Sequence, residues 1–121
     1  METYTVLLAE NDSAIARPLA ISLGAHFRSV RTVSSADELR SALPRVSADV
    51  IVADLETITL EEVADLHRKF HLPVVCTHRI PDEDIWTAAM EAGALDVCSR
   101  TDVGAIVRAI TDMRYSHSNA A

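Results

Sequence analysis

The chain has 121 residues, of which 49% are hydrophobic and 24% charged, with a formal net charge of −7. This length suits one domain with one core, and the hydrophobic content excludes a disordered chain. No hydrophobic run reaches the ~20 residues of a membrane-spanning helix, and the acidic balance argues against a nucleic-acid-binding surface, so we expect neither partner.

Strand and helix patterns alternate along the whole chain. The predicted strands cover about residues 3–9, 27–33, 48–54, 72–77 and 95–99. The predicted helices cover about residues 13–23, 35–43, 59–70, 82–91 and 101–115. Five strand–helix units in this length predict an α/β fold over residues 1–115, with one doubly wound parallel sheet, five helices on its two faces and a frayed tail over residues 116–121.

Residues typical of helix starts precede three of these helices. Asp12 is a predicted N-cap, and Ser35 and Thr59 are each followed three residues later by a glutamate, the spacing of a capping box. These signals place the turns between strands and helices at fixed points of the sequence.

Two acids end hydrophobic runs that we expect to be neighbouring buried strands. Glu10 follows the first predicted strand, and Asp54 ends the third. Open α/β sheets bind ligands in the crevice beyond the carboxyl ends of their strands. The pair therefore predicts a cation site and a phosphoryl-acceptor site at this edge of the sheet.

Cys76 and Cys98 each lie inside a hydrophobic stretch and are not spaced as a CxxC pair. We expect two buried, reduced thiols, although positions on neighbouring strands leave a disulfide conceivable. The first residues resemble neither a secretory signal nor a transit peptide, so we expect a cytoplasmic protein, in which a disulfide is disfavoured.

Four segments, in the correct order, resemble the receiver domain of two-component response regulators, the CheY-like fold. They are the acidic turn after the first strand, the strand that ends at Asp54, the strand that ends at Thr77 and the stretch leading into the fifth strand. Their residues are 7–12, 49–55, 73–77 and 92–96. The resemblance covers nearly the whole chain and implies the strand order 2-1-3-4-5.

The resemblance implies that a sensor histidine kinase or phosphotransfer protein phosphorylates Asp54. Thr77 would then hydrogen-bond the new phosphoryl group, and Arg100 stands at the position of the family's lysine. A downstream protein would read the change on the face formed by the fourth helix, the fifth strand and the fifth helix. We expect no enzymatic turnover beyond slow self-dephosphorylation.

The resemblance also implies a Mg²⁺ site formed by Glu10, Asn11, Asp54 and the backbone carbonyl of Glu56. A hard cation neutralises the oxygens during phosphoryl transfer. However, Asn11 stands where the family has a second acid, and losing a charged ligand weakens Mg²⁺ binding. We therefore expect Mg²⁺ to be weakly bound or absent.

Further departures cluster at the site and its readout. Arg100 is a planar fork suited to carboxylates, so it could clamp Asp54 and Glu10 together without a metal. His78 is larger than the residue usual after the switch hydroxyl and is expected to crowd the phosphoryl site. Val97 replaces the switching aromatic residue of the family, which removes the usual partner of Thr77.

Three functions remain open on these residues. The first is an atypical single-domain receiver phosphorylated at Asp54. The second is a phosphorylation-independent pseudo-receiver, in which Arg100 locks the site and the chain acts as a docking or homodimerisation module. The third is a flavodoxin-like ligand-binding domain, which is disfavoured because the chain has only three glycines and no glycine-rich phosphate loop.

Overall fold

A computed structural model describes the backbone of residues 2–119 and the side chains of residues 3–113. The strands are β1 (Glu2–Ala9), β2 (Phe27–Val33), β3 (Val50–Asp54), β4 (Val74–His78) and β5 (Asp96–Ser99). The helices are α1 (Ser13–Gly24), α2 (Ala36–Ala42), α3 (Leu60–Phe70), α4 (Glu83–Glu91) and α5 (Val103–Asn119). Within residues 2–119, no helix combines the length and hydrophobicity needed to cross a membrane.

The ten elements occur in the predicted order, and α5 shows the largest difference in extent. This helix continues to Asn119, so most of the stretch predicted as a tail has a helical backbone. Ala120 and Ala121 lie outside the described residues. That the domain ends at residue 115 stays a prediction.

The five strands form one parallel sheet in the order β2-β1-β3-β4-β5. This confirms the predicted fold class and strand order. The pairing register places Ala9 beside Ala53 and Asp54 beside Thr77. Because the strands are parallel and in this register, the residues that follow β1 and end β3 and β4 meet at one edge of the sheet.

Two hydrophobic clusters fill the two faces of the sheet. One contains residues of α2, α3 and α4, such as Leu39 and Leu66, packed on Leu7 and Ile51. The other contains residues of α1 and α5, packed on alternate strand residues such as Val6, Leu8, Val50 and Val52. Burial on both faces explains why these strands read as continuous hydrophobic runs.

The cysteines belong to opposite faces of the sheet. Cys76 packs in the cluster with α2, α3 and α4, whereas Cys98 packs in the cluster with α1 and α5. Both are free and buried, and burial raises the pKa of Cys76 to about 12 and that of Cys98 to about 11. Because side chains on opposite faces cannot meet through the sheet, a disulfide between them is excluded.

The helix starts largely follow the capping predictions. Asp12 caps α1 by accepting a hydrogen bond from the Ala14 amide, and Thr59 forms a complete capping box at α3. Ser35 caps α2, but the Glu38 carboxylate accepts hydrogen bonds from the amide and hydroxyl of Ser34 instead of from the Ser35 amide. Capping fixes where α1 leaves the sheet, and with it the turn that carries Glu10.

Candidate functional site

Four buried polar or charged side chains meet at the carboxyl edge of the sheet, which we call the acidic crevice. They are Glu10 after β1, Asp54 at the end of β3, Thr77 in β4 and Arg100 after β5. The sequence predicted six residues for the phosphoryl and Mg²⁺ sites. Four of these six form one buried group in the structure. Their roles in phosphotransfer stay predictions.

Asp54 is surrounded by neutral hydrogen-bond donors. The Thr77 hydroxyl donates to its Oδ1 at 3.3 Å. The Glu56 amide donates to its Oδ2 at 3.1 Å, and the Thr57 hydroxyl lies 3.4 Å from the same oxygen. Both carboxylate oxygens are thus held by the protein itself, which fixes the direction in which the carboxylate points.

Thr57 is a site residue that the sequence analysis missed. Its hydroxyl oxygen accepts a hydrogen bond from the Asn11 amide at 3.1 Å and also contacts Asp54. The predicted ligand Asn11 is an exposed residue, and its described contact here is through its backbone amide. A hydroxyl three residues after a strand-end acid is the signal that could have identified Thr57.

Glu10 is paired with Arg100 across the buried end of the crevice. Arg100 Nη2 lies 3.3 Å from Glu10 Oε1, and both side chains are nine-tenths or more buried. The pair is an electrostatic contact, because Glu10 Oε1 and Arg100 Nε have no hydrogen-bond partner. The pKa of Glu10 is raised, chiefly because burial removes water from its carboxylate, and the nearby charge of Asp54 adds to this effect. The hydrogen bond from the Asp12 amide to Oε2 and the charge of Arg100 lower this pKa but do not cancel the increase.

Arg100 reaches two more acids at the rim of the crevice. Its guanidinium lies 3.6 Å from Asp12 Oδ2 and 3.8 Å from Glu56 Oε2. Glu56 is held more closely by Arg79, at 2.9 Å. Within the described part of the chain, Arg100 makes no ion pair with Asp54. The predicted clamp on both acids is therefore wrong in its Asp54 half and holds for Glu10.

The side chains of the crevice do not fit a tightly held divalent cation. Among the described residues, no three His, Cys, Asp or Glu side chains lie close enough to hold a metal ion. A guanidinium instead contacts the buried acid Glu10, and Asn11 carries no charge. A hard cation needs several oxygen ligands and gains from their charge, so the donor set favours the internal cation over Mg²⁺.

The residues expected to alter the readout lie beside the crevice. His78 is half-buried, and its Nδ1 accepts a hydrogen bond from the Ile80 amide, which turns the ring toward the β4–α4 loop. Val97 packs against the hydrophobic cluster that contains Cys76. Nearby, Ile80 and Trp86 are exposed, at 71% and 48%.

No protein-family model and no curated protein matches this sequence. Solved structures do match it. A receiver-domain protein from Clostridium thermocellum is 20% identical with a TM-score of 0.81, and the match covers 98% of this chain and 99% of that one. An orphan response regulator of H. pylori is 19% identical with a TM-score of 0.78, covering 90% of this chain and 94% of that one.

The fold is that of a response-regulator receiver domain. A third receiver-fold structure, the Mn²⁺-bound form of the response regulator Rcp1, is 17% identical with a TM-score of 0.71, covering 88% of this chain and 91% of that one. At these identities the likeness concerns the fold. In this receiver fold, the acidic crevice lies where Asp54 ends β3, as expected.

Proposed function

We propose that this chain is an atypical receiver module of two-component signalling that acts by binding other proteins, with Arg100 taking the place of the divalent cation. The observation that carries the proposal is the buried ion pair between Arg100 and Glu10. One positive charge already lies inside the crevice, so the acids keep their positions without a metal. The receiver fold supplies the scaffold for partner binding.

The charges of the crevice support this assignment. Glu10 and Asp54 are buried side by side, and two like charges out of water repel strongly. The positive charge of the Arg100 guanidinium offsets part of that repulsion. A receiver built this way has no need of Mg²⁺ for its resting structure.

Phosphorylation at Asp54 is the second candidate function, supported by the Thr77 contact. The Asp54 carboxylate ends β3 and accepts from the Thr77 hydroxyl at 3.3 Å, as expected of an acceptor and its switch residue. A sensor histidine kinase or phosphotransfer protein would be the donor. The phosphorus–nitrogen bond of a phosphohistidine would break as an acyl phosphate forms on Asp54.

An amide NMR titration separates the two candidates. Mg²⁺ and beryllofluoride, a phosphoryl mimic, are added to the wild type, to Asp54→Asn and to the double variant Asn11→Asp/Arg100→Lys. The double variant restores the acid and the lysine of the family. We expect no specific shifts around Asp54 and Thr77 in the wild type, and Mg²⁺-dependent shifts in the double variant.

Shifts in the wild type that disappear in Asp54→Asn would overturn the proposal and establish the phosphorylated receiver. Adding ions to Asp54→Asn also controls for nonspecific salt effects on the surface amides, because the variant lacks only the central carboxylate. Line widths and dispersion of the spectra show that each variant is folded.

The α4–β5–α5 face is the proposed binding surface for a downstream protein or a second copy of the chain. Trp86 in α4 supports it, because large exposed hydrophobic side chains are typical anchors of protein interfaces, and exposed Ile80 lies in the loop that precedes α4. Sedimentation velocity of the wild type, Trp86→Ala and the distant control Ile21→Ala tests for self-association. Equal self-association of the wild type and Trp86→Ala would show that Trp86 is not part of the interface between copies.

A further inference from the structure

Thr57 connects Asp54 to the turn that precedes α1. The Asn11 amide donates to Thr57 Oγ1 at 3.1 Å, and the Thr57 hydroxyl lies 3.4 Å from Asp54 Oδ2. A hydroxyl can accept one hydrogen bond while it donates another. Asp54 has no proton to give when ionised, so the direction of the chain is fixed: Asn11 donates to Thr57, and Thr57 donates to Asp54.

A second contact joins the crevice to the same place. Asp12 uses its Oδ1 to cap α1, accepting from the Ala14 amide at 3.0 Å. Its Oδ2 lies 3.6 Å from the guanidinium of Arg100. The turn that leads into α1 is therefore tied both to Asp54, through Thr57, and to the cation of the crevice.

The other side of Asp54 offers a poorer route for a signal. Thr77 contacts Oδ1, and the next strand, β5, carries Val97 one position before the residue that pairs with Thr77. Val97 has no polar group and packs within a hydrophobic cluster. No hydrogen bond through the Val97 side chain can therefore carry a change in charge at Asp54 Oδ1 onward from Thr77.

We propose that the start of α1 responds to the state of Asp54 through the Thr57 hydroxyl. Loss of negative charge on Asp54 weakens its attraction for the Thr57 proton, which frees the hydroxyl to turn and alters the bond from the Asn11 amide. The turn at residues 11–12 then shifts with the state of the carboxylate. The inference rests on the proposed function in taking the acidic crevice, with Asp54 at its centre, as the functional site of the receiver fold.

A double-mutant comparison by amide NMR tests this coupling without any metal or phosphoryl mimic. Asp54→Asn neutralises the carboxylate. This change is made in the wild-type, Thr57→Val and Thr77→Val backgrounds, and the resulting chemical-shift changes at residues 11–14 are measured in each. Valine is nearly isosteric with threonine and replaces its hydroxyl with a methyl group. We expect clear shifts at residues 11–14 in the wild-type and Thr77→Val backgrounds, and their loss in Thr57→Val.

Hydrogen exchange gives an independent readout of the same link. The Asn11 amide is expected to exchange several-fold faster in Thr57→Val than in the wild type, because it loses its acceptor. Thr57→Ser keeps the hydroxyl and is expected to restore both the protection and the coupled shifts. This conservative variant separates loss of the hydroxyl from a general loosening of the loop.

Two results would overturn the coupling. One is the absence of shifts at residues 11–14 when Asp54 is neutralised in the wild type. The other is shifts of equal size in the wild-type and Thr57→Val backgrounds. Both are distinct from failure of the proposed function, which is decided by the response of the wild type to Mg²⁺ and beryllofluoride.

Discussion

Glu10 and Asp54 are two acids buried side by side, and the protein stabilises them in different ways. Asp54 has three neutral donors distributed over its two oxygens. Glu10 has a guanidinium at 3.3 Å, a backbone amide on one oxygen, and no hydrogen bond on the other. Hydrogen bonds fix the direction of a carboxylate, whereas a charge mainly offsets the free-energy cost of burying it.

The pKa of Glu10 is raised even though a cation lies beside it. Loss of water around the carboxylate disfavours its charged form more than Arg100 favours it, and the neighbouring charge of Asp54 adds to the effect. Burying the Glu10 carboxylate is therefore unfavourable, and Arg100 offsets only part of the free-energy cost. Replacing Arg100 is expected to reveal that cost as a loss of stability.

The largest effect is expected for Arg100→Met. The variant keeps a long apolar stem but leaves Glu10 buried without its cation, which costs about 3 kcal/mol in the free energy of unfolding. Urea denaturation at neutral pH measures it.

Arg79→Met is the matched control for that variant. Arg79 also pairs with an acid, Glu56, but both side chains are exposed, so we expect a loss of less than about 1 kcal/mol. Equal losses in the two variants would contradict the assignment of Arg100 as the compensating charge of a buried acid.

An intermediate effect is expected for Thr77→Val, on the Asp54 side. The isosteric change leaves Asp54 Oδ1 buried without its donor and costs about 1–2 kcal/mol. Thr32→Val, at an exposed position of β2, serves as the control and is expected to be near neutral. A neutral result for Thr77→Val would mean that water replaces the lost donor.

The smallest effect, and the most diagnostic for Glu10, is a dependence on pH. Because the folded-state pKa of Glu10 is raised from 4.5, the folded chain holds this proton more tightly than the unfolded chain. Its contribution to stability is therefore fully present below pH 4.5 and is lost as the pH rises through the folded-state pKa. Other carboxyl groups also make the stability depend on pH. The contribution of Glu10 is therefore measured as the difference in stability between the wild type and a variant that cannot titrate at this position.

Glu10→Gln supplies that difference. Urea midpoints of the wild type and the variant are compared from about pH 4 to about pH 7. We expect the variant to gain stability relative to the wild type as the pH rises. A constant difference across this range would show that Glu10 titrates alike in the folded and unfolded chains.

Much of the scaffold could be predicted because the relevant signals are local. Hydrophobic runs such as 48–54 identify strands buried on both faces, and Thr59 with Glu62 sets the start of α3 from a spacing of three residues. The sheet order and the meeting of Glu10 with Asp54 followed from the resemblance and from the parallel arrangement. The end of α5 was misplaced, because no strong stop signal marks it.

Four of the six residues predicted for the crevice lie together there, and their contacts could be predicted only in part. Thr57 was missed because its position three residues after Asp54 gains meaning only once the β1–α1 turn is brought beside it. The sequence left a disulfide between Cys76 and Cys98 conceivable. The structure excludes it, because the two side chains lie on opposite faces of the sheet. The predicted contact of Arg100 with both acids was correct only for Glu10, because the distance to each acid depends on the folded sheet.

Local sequence was enough to predict the alternation of strands and helices, the helix caps at Asp12 and Thr59, and the acids at strand ends, because each depends on neighbours within a few residues. The pairing of Arg100 with Glu10 and the bridge from Asn11 through Thr57 to Asp54 were visible only in the folded chain. The Asn11–Thr57 and Glu10–Arg100 contacts join residues that are 46 and 90 positions apart in the chain. Their geometry depends on register and burial, which exist only once the sheet has formed.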